Sequence, residues 1–251
     1  MLLNDEDDDY SASLSSLFQL PGTLHHYHFP SLAGKAFTAS LFADSHDPGA
    51  LQSGHYVWPA ATALAQHLVD RPFDSPPPET ALELGAGCGL VSLVALQVYD
   101  LKQLVLTDHD PTTLQRAQLN YQATCRQLAQ RPETVVAFEL LTWGDEPAAK
   151  ELLASESVKF DLIFGSDLIY DASVVTPLLK TVSWLLASGG KFVYSQSFEY
   201  DKITNLEQDA ACAELGLQQS RTPLHQNREH ATKDTALLQI FQWTPKKMEQ
   251  I

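Results

Sequence analysis

The chain has 251 residues, 44% of them hydrophobic, which is enough for one full-sized core with a modest N-terminal appendage. Its formal net charge is −15, five of the negative charges coming from the run Asp5, Glu6, Asp7, Asp8 and Asp9; such a surface repels phosphate backbones and favours basic partners, so no nucleic acid is expected. An acidic N-terminus without a basic, apolar leader and the lack of any run of about 18 apolar residues argue against secretion and against a membrane span, and Cys88, Cys125 and Cys212, far apart with no C-x-x-C, fit a reducing compartment (cytosol, with the nucleus also open) and carry no zinc signature.

Residues 1–15 read as a disordered acidic tail and 16–50 as an N-terminal extension. Within that extension HHYHF and KAFTASLF are β-like, separated by Pro30 and Gly34, and predict a small hairpin or lid. His25, His26 and His28 alternate along the first piece at a spacing that matches no standard ligand set, so no metal is expected. A helix is expected from Pro59, which suits a first helical turn, with Ala60, Ala63, Leu64, His67 and Leu68 at helical steps; Trp58 stands just before it.

The stretch Thr80 to Val94, TALELGAGCGLVSLV, is the centre of the chain. A short apolar strand, Ala81 to Leu84, enters a turn with Gly85, Gly87 and Gly89, and an apolar helix follows at once. Glycines permit a sharp turn and bring bare backbone up to a ligand, while the helix start offers free N–H groups and a partial positive charge. The dinucleotide spacing G-x-G-x-x-G/A needs a small residue at position 90, which is Leu90, and no G-x-x-x-x-G-K-[ST] occurs. The stretch resembles motif I of the seven-strand S-adenosylmethionine methyltransferases, E-x-G-x-G-x-G, with Glu83 two residues before Gly85. An acid there suits a ligand that carries an amino group and a sulfonium instead of a pyrophosphate.

Downstream the elements alternate. A strand Gln103 to Thr107 ends in Asp108, which lies 23 positions beyond Gly85, near the spacing of a ribose-hydroxyl acceptor. A helix over Thr112 to Leu128 carries Leu114, Ala117, Asn120 and Tyr121 at helical steps. Next come a strand Thr134 to Leu141 followed by Trp143, a short helix Pro147 to Ser155, and a strand Phe160 to Gly165 running into Ser166, Asp167 and Tyr170. A helix Val174 to Leu186 is expected to stop at Gly189 and Gly190. The strand Lys191 to Ser197 and a helix Asn205 to Leu215 complete the alternation. Leu217 to Leu224 and Thr235 to Trp243 are then consecutive strands, which must pair antiparallel. The fold class is therefore α/β, a Rossmann-like, mostly parallel seven-strand sheet closed by an antiparallel C-terminal hairpin, with the body over residues 51–245.

In such sheets ligands bind beyond the carboxyl ends of the strands, where the glycine turn, Asp108, Trp143 and the Asp167–Tyr170 stretch all fall. VWPAA, ELGAGCG, the acid after the second strand, LTWG and DLIY together make residues 55–245 resemble methyltransferase family 16, chiefly protein-lysine methyltransferases of cytosol and nucleus. The resemblance implies S-adenosylmethionine as methyl donor and a basic protein as acceptor. It implies that Trp58, Glu83, Gly85, Ala86, Gly87, Asp108, Trp143 and Ser166 line the donor pocket, Ser166 standing where the family often has Ala. Asp167 and Tyr170 would form the signature beside the acceptor channel.

Methyl transfer to an amine is an in-line displacement governed by positioning, and a lysine must first lose its proton, at about 4–5 kcal/mol near neutral pH. An aromatic channel of Tyr170 with Phe198 or Tyr200 would lower the amine's pKa by desolvation. Asp167 is assigned to capture and orientation of the amine. Arginine or small-molecule acceptors remain open, as does a non-catalytic scaffold that binds S-adenosylmethionine. Adenine-directed enzymes carry two prolines where Leu168 and Ile169 stand, and no basic stripe for nucleic acid is present. A monomer is expected.

Overall fold

The computed structural model describes residues 22–31, 36–46, 50–70, 76–127, 133–156, 159–223 and 237–243. The acidic tail 1–15 lies outside them. The first described elements are two antiparallel strands, β1 (Thr23–Pro30) and β2 (Ala36–Ala43). A 3-10 turn (Ala50–His55) leads to α1 (Pro59–Asp70). The body then alternates β3 (Thr80–Leu84), α2 (Leu90–Val98), β4 (Gln103–Asp108), α3 (Pro111–Gln127), β5 (Val135–Leu140), α4 (Glu146–Glu156), β6 (Phe160–Ser166), α5 (Val175–Leu185), β7 (Leu186–Gln196) and α6 (Lys202–Leu215). It closes with β8 (Leu217–Pro223) and β9 (Leu237–Trp243).

The seven strands from β3 onward form one sheet in the order β5-β4-β3-β6-β7-β9-β8. All pairs among β3 to β7 are parallel, and β9 runs antiparallel to both β7 and β8. The chain moves outward from β3 through β4 to β5, then returns to the other side of β3 at β6. Those two directions part at the β3/β6 boundary, the switch point where an open sheet leaves a crevice.

Strand side chains alternate between faces, and the core follows that alternation. Ala81, Leu162, Phe164 and Val193 pack with α1, α2 and the hairpin, whereas Leu82, Leu84, Ile163, Phe192 and Tyr194 pack with α4, α5 and α6. Glu83, next to Ala81 in phase, therefore falls on the α2 side.

Two element boundaries differ from the sequence reading by three residues or more. The glycine pair does not end α5, because the backbone turns extended already at Leu186, which pairs with Phe160. Gly189 and Gly190 lie inside β7 at a register shift opposite Phe160 and Leu162; a Cβ at Gly190 would sit 3.0 Å from the carbonyl oxygens of Phe160 and Asp161. Helix α6 begins three residues early since Asp201 caps it, accepting from Thr204 N–H at 2.7 Å.

The hairpin is no loose appendage. Phe29, Phe37, Ala39, Leu41 and Ala43 belong to the same core as α1 and α2. Asn120 of α3 spans the junction: its Oδ1 accepts from Phe42 N–H at 2.9 Å, and its Nδ2 donates to Phe42 O at 3.1 Å and to Cys88 O at 2.9 Å. Arg116, one turn earlier, is buried and donates to Asp44 at 2.9 Å and to His55 O at 3.3 Å. Of the three histidines of β1, His26 shares a hydrogen bond with Ser40 Oγ at 2.8 Å.

Candidate active site

At the carboxyl edge of β3, β4 and β6 the structure brings together all ten residues singled out in the sequence: Trp58, Glu83, Gly85, Ala86, Gly87, Asp108, Trp143, Ser166, Asp167 and Tyr170 line one cleft. Its floor is the glycine turn. Gly85, Gly87 and Gly89 adopt φ of 58°, 53° and 83°, in the left-handed region that side chains disfavour. A Cβ on Gly85 would come within 2.6 Å of Leu168 Cδ2 and 3.3 Å of Trp143 Cζ2. The absent side chain is thus what lets Leu168 and Trp143 pack directly against the turn.

Glu83 is buried at the base of the turn. Its Oε2 accepts from Ser92 N–H at 3.2 Å and from the Ser92 hydroxyl. Ser92 lies in the first turn of α2, whose N-cap is Gly89 and has no side chain to offer. The strand acid therefore caps the helix from below, the role an N-cap side chain ordinarily fills. Burial raises the carboxyl from its ordinary 4.5 to about 8, against the lowering effect of the two Ser92 bonds, with Asp108 nearby adding to the rise.

Asp108 closes the next side. One oxygen accepts from Gly87 N–H at 3.2 Å, the other from Asp110 N–H at 3.1 Å, and exposed His109 lies 3.3 Å away. With the Ala86 N–H bond to Thr107 O at 2.9 Å, the glycine turn is tied to the tip of β4. Trp58 forms the opposite wall, its indole N–H donating to Ser53 O at 2.9 Å while Tyr56 meets it edge-on at 5.4 Å.

Asp167 has φ 51°, the one non-glycine residue with positive φ among the described residues. Its carboxylate is fully engaged: Oδ1 accepts from Ser197 N–H at 2.7 Å, and Oδ2 accepts from Ser197 Oγ at 2.8 Å and Ala60 N–H at 3.3 Å. Burial raises its pKa and these three bonds oppose the rise. It clamps the β6 tip to the start of α1 and the exit of β7. Tyr170 is 70% exposed at the mouth. Of the expected aromatic channel, Tyr170 lines the cleft, whereas Phe198 and Tyr200 are not among its lining residues. The Tyr200 hydroxyl instead donates to the Tyr194 hydroxyl at 2.8 Å, which itself accepts from Ile169 N–H at 3.1 Å. A buried hydroxyl with a partner at hand is held inward.

Sequence reasoning passed over part of the lining. Gly54 packs against the turn, and a Cβ there would meet Thr113 at 2.5 Å; Gly54 and Thr113 line the cleft too. Asp110 caps α3, its Oδ1 accepting from Thr112 N–H at 2.7 Å and Thr113 N–H at 2.9 Å, and D-P-T-T was a legible cap signal. Cys88 also lines the cleft, but burial lifts its thiol to about 12, so it is no nucleophile.

Comparison with known proteins places this arrangement. A family model described as lysine methyltransferase matches residues 44–205. The protein N-terminal and lysine N-methyltransferase EFM7 of Candida glabrata is 32% identical over 166 residues, covering 65% of this chain and 63% of that protein. The protein-lysine N-methyltransferase EFM3 of Saccharomyces cerevisiae is 27% identical over 147 residues, covering 54% of this chain and 41% of that protein. The protein N-lysine methyltransferase METTL21A of Mus musculus is 30% identical over 182 residues, covering 72% of this chain and 78% of that protein. The chain thus spans 41% to 63% of the length of the two yeast relatives. Among solved structures, a methyltransferase complexed with the Trm112 activator of Haloferax volcanii shares the fold, with a TM-score of 0.50 at 15% identity over 72% of this chain and 89% of that one. The chain belongs to the lysine methyltransferase family.

Proposed function

We propose that this protein is an S-adenosylmethionine-dependent methyltransferase whose acceptor is the side-chain amine of a lysine in another protein. One observation carries the reading: two buried acids, Glu83 and Asp108, flank a glycine turn with positive φ, and the β6 tip bearing Asp167 and Tyr170 faces the same cleft. Two acidic side chains beside bare backbone, able to accept from an ammonium group and from a ribose diol, suit a ligand that carries both better than a phosphate.

On this reading Glu83, Gly85, Ala86, Gly87 and Asp108 would hold the donor, with Trp58, Trp143 and Ser166 as its walls. S-adenosylmethionine supplies an electrophilic methyl group. The chain's own contribution is positioning, which governs the rate of an in-line displacement. Asp167 holds the β6 tip, and hence Tyr170, in one place through its three hydrogen bonds. Tyr170 excludes water from one side of the incoming amine, favouring its neutral form. Bulk water carries the proton away.

Relatives whose names include both N-terminal and lysine methylation give a second reading, an N-terminal amine as acceptor. We also infer that the protein acts as a monomer on a basic partner, in cytosol or nucleus. The charge of −15 and the three unpaired thiols support this, and gel filtration with subcellular fractionation tests it. Incubating purified protein with radiolabelled S-adenosylmethionine and a cell extract tests the function. Label recovered as methyl-lysine in a protein band is the expected result; label only in RNA, small molecules or methylarginine overturns the reading.

A further inference from the structure

Four large, largely apolar side chains stand in solvent: Tyr170, at the mouth of the cleft, at 70% exposure, Phe198 at 42%, Ile203 at 68% and Leu206 at 58%. Ile203 and Leu206 are three apart in α6 and so share one face of the helix. The elements that carry them adjoin. Thr176 Oγ1 at the start of α5 donates to Glu207 Oε1 of α6 at 2.5 Å, the charge of Asp171 bears on Asp201, and Phe198 meets Tyr200 edge-on at 5.9 Å. Among the described residues, the other large hydrophobics exposed to this degree are Val135 and Leu140, both on the edge strand β5. Clustering of the first four marks an interaction surface, where scattered single residues do not.

The charges around the patch are predominantly negative. Asp171, Glu199, Asp201 and Glu207 are exposed there, against two cations, Lys202 and Arg221, the latter tied to α6 through Asn205, Gln208 and Asp209. Two of the acids are fixed in place as helix caps: Asp171 accepts from Ser173 N–H at 2.8 Å, and Asp201 from Thr204 N–H at 2.7 Å. Those bonds hold both carboxyls below the usual carboxylate range, so these two stay negative through the physiological window. An apolar centre with a charged rim is the anatomy of a docking site, and an acidic rim selects a cationic partner.

We propose that the surface formed by Phe198, Ile203 and Leu206, continuous with Tyr170, docks the substrate: a segment of a protein with net positive charge and large apolar side chains close to the target lysine. This rests on the methyltransferase reading for its occupant and adds what selects it. The apolar side chains would seat on α6, the flanking cations on the acid ring, and the lysine would reach the cleft past Tyr170.

Two fluorescein-labelled peptides serve as probes, each with one lysine flanked by arginines, one carrying leucine and phenylalanine beside the lysine and the other alanine in both places. Binding is measured by anisotropy with S-adenosylhomocysteine present, for wild type and for the Ile203→Ser/Leu206→Ser double variant, whose sites are solvent-exposed. The expected result is at least tenfold tighter binding of the apolar peptide by wild type, with the ratio collapsing towards one in the variant. An equal ratio in both proteins overturns the docking surface. So does a fall of several degrees in the variant's melting temperature, which would show that the patch is covered by this chain's own residues. Methyl transfer is then followed on the same peptides. Transfer that ignores the apolar neighbours refutes the surface and leaves the function standing; Ile203- and Leu206-dependent binding with no transfer refutes the function and leaves the surface standing.

Discussion

Glu83→Gln separates the two jobs of the acid at the heart of the cleft. The carboxyl sits at about 8 in the fold against 4.5 ordinarily, so the folded state binds a proton that the unfolded chain has already lost over that interval. Folding stability from this group is fully present below about pH 4.5, falls as pH rises, and is exhausted above about pH 8. The slope is about 1.4 kcal/mol per pH unit, and the whole interval is worth about 5 kcal/mol as an upper figure. The carboxamide keeps an oxygen for the two Ser92 donors and has no proton to lose. Urea denaturation of both proteins from pH 5 to pH 9 without ligand should therefore show the variant gaining on wild type by about that slope and levelling off above pH 8. The same pKa makes a second reading of the group possible. If Glu83 ionises to meet a cationic donor, wild type at pH 7 should release about 0.9 proton per S-adenosylmethionine bound, measurable by calorimetry in buffers of different ionisation enthalpy. The variant should release none and bind more than tenfold more weakly. Parallel stability curves, or identical proton release, would refute the assignment of the buried charge.

Asp108→Ala should weaken S-adenosylmethionine by more than tenfold, because Gly87 N–H and the ligand both lose their acceptor; unchanged affinity by calorimetry would contradict the pocket. Tyr170→Ala should abolish transfer while the donor still binds, and Tyr170→Phe should retain most of it, since the exposed ring acts by excluding water; full activity in the alanine variant removes Tyr170 from the mechanism. Asn120→Ala leaves Phe42 N–H, Phe42 O and Cys88 O without their partner. It should cost about 3 kcal/mol in urea denaturation, and a loss under about 0.5 kcal/mol would mean that the hairpin is not fastened there.

What the sequence discloses is local and periodic, and what it withholds is long-range. The glycine turn, the acid after β4 and the D-x-x-Y stretch are runs of neighbouring residues whose chemistry shows in their spacing, and strand alternation alone puts their tips on one edge. The docking of the hairpin rests on contacts such as Phe42 with Asn120, 78 positions apart. Asn120 did stand out as a polar residue at a core-facing helical step, but nothing local says which backbone it completes. Gly54 is legible as a glycine and opaque as a packing partner of Thr113. The β7 boundary failed for the opposite reason: a glycine pair signals a break locally, and sheet pairing of Leu186 with Phe160 overrides it.

Asp167 shows how tertiary contacts recast a residue that the sequence identifies. An acid beside the acceptor poses a conflict, since the charge that attracts an ammonium also holds its proton on. The geometry gives the residue a second task. Three donors from two other elements converge on the carboxylate, so most of its acceptor sites are already taken, and the left-handed φ of 51° is a conformation that aspartate and asparagine tolerate better than most. The residue is thus chosen for its two acceptors and its backbone at once, and it works through what it holds still. Because the clamp draws on α1, β6 and β7 together, the tip that presents Tyr170 is set by the same bonds that join the two sides of the cleft. On the proposed reading, attraction of the substrate is shared with charges outside the cleft, on the exposed caps Asp171 and Asp201, where an ammonium can be drawn in without being kept protonated at the point of transfer.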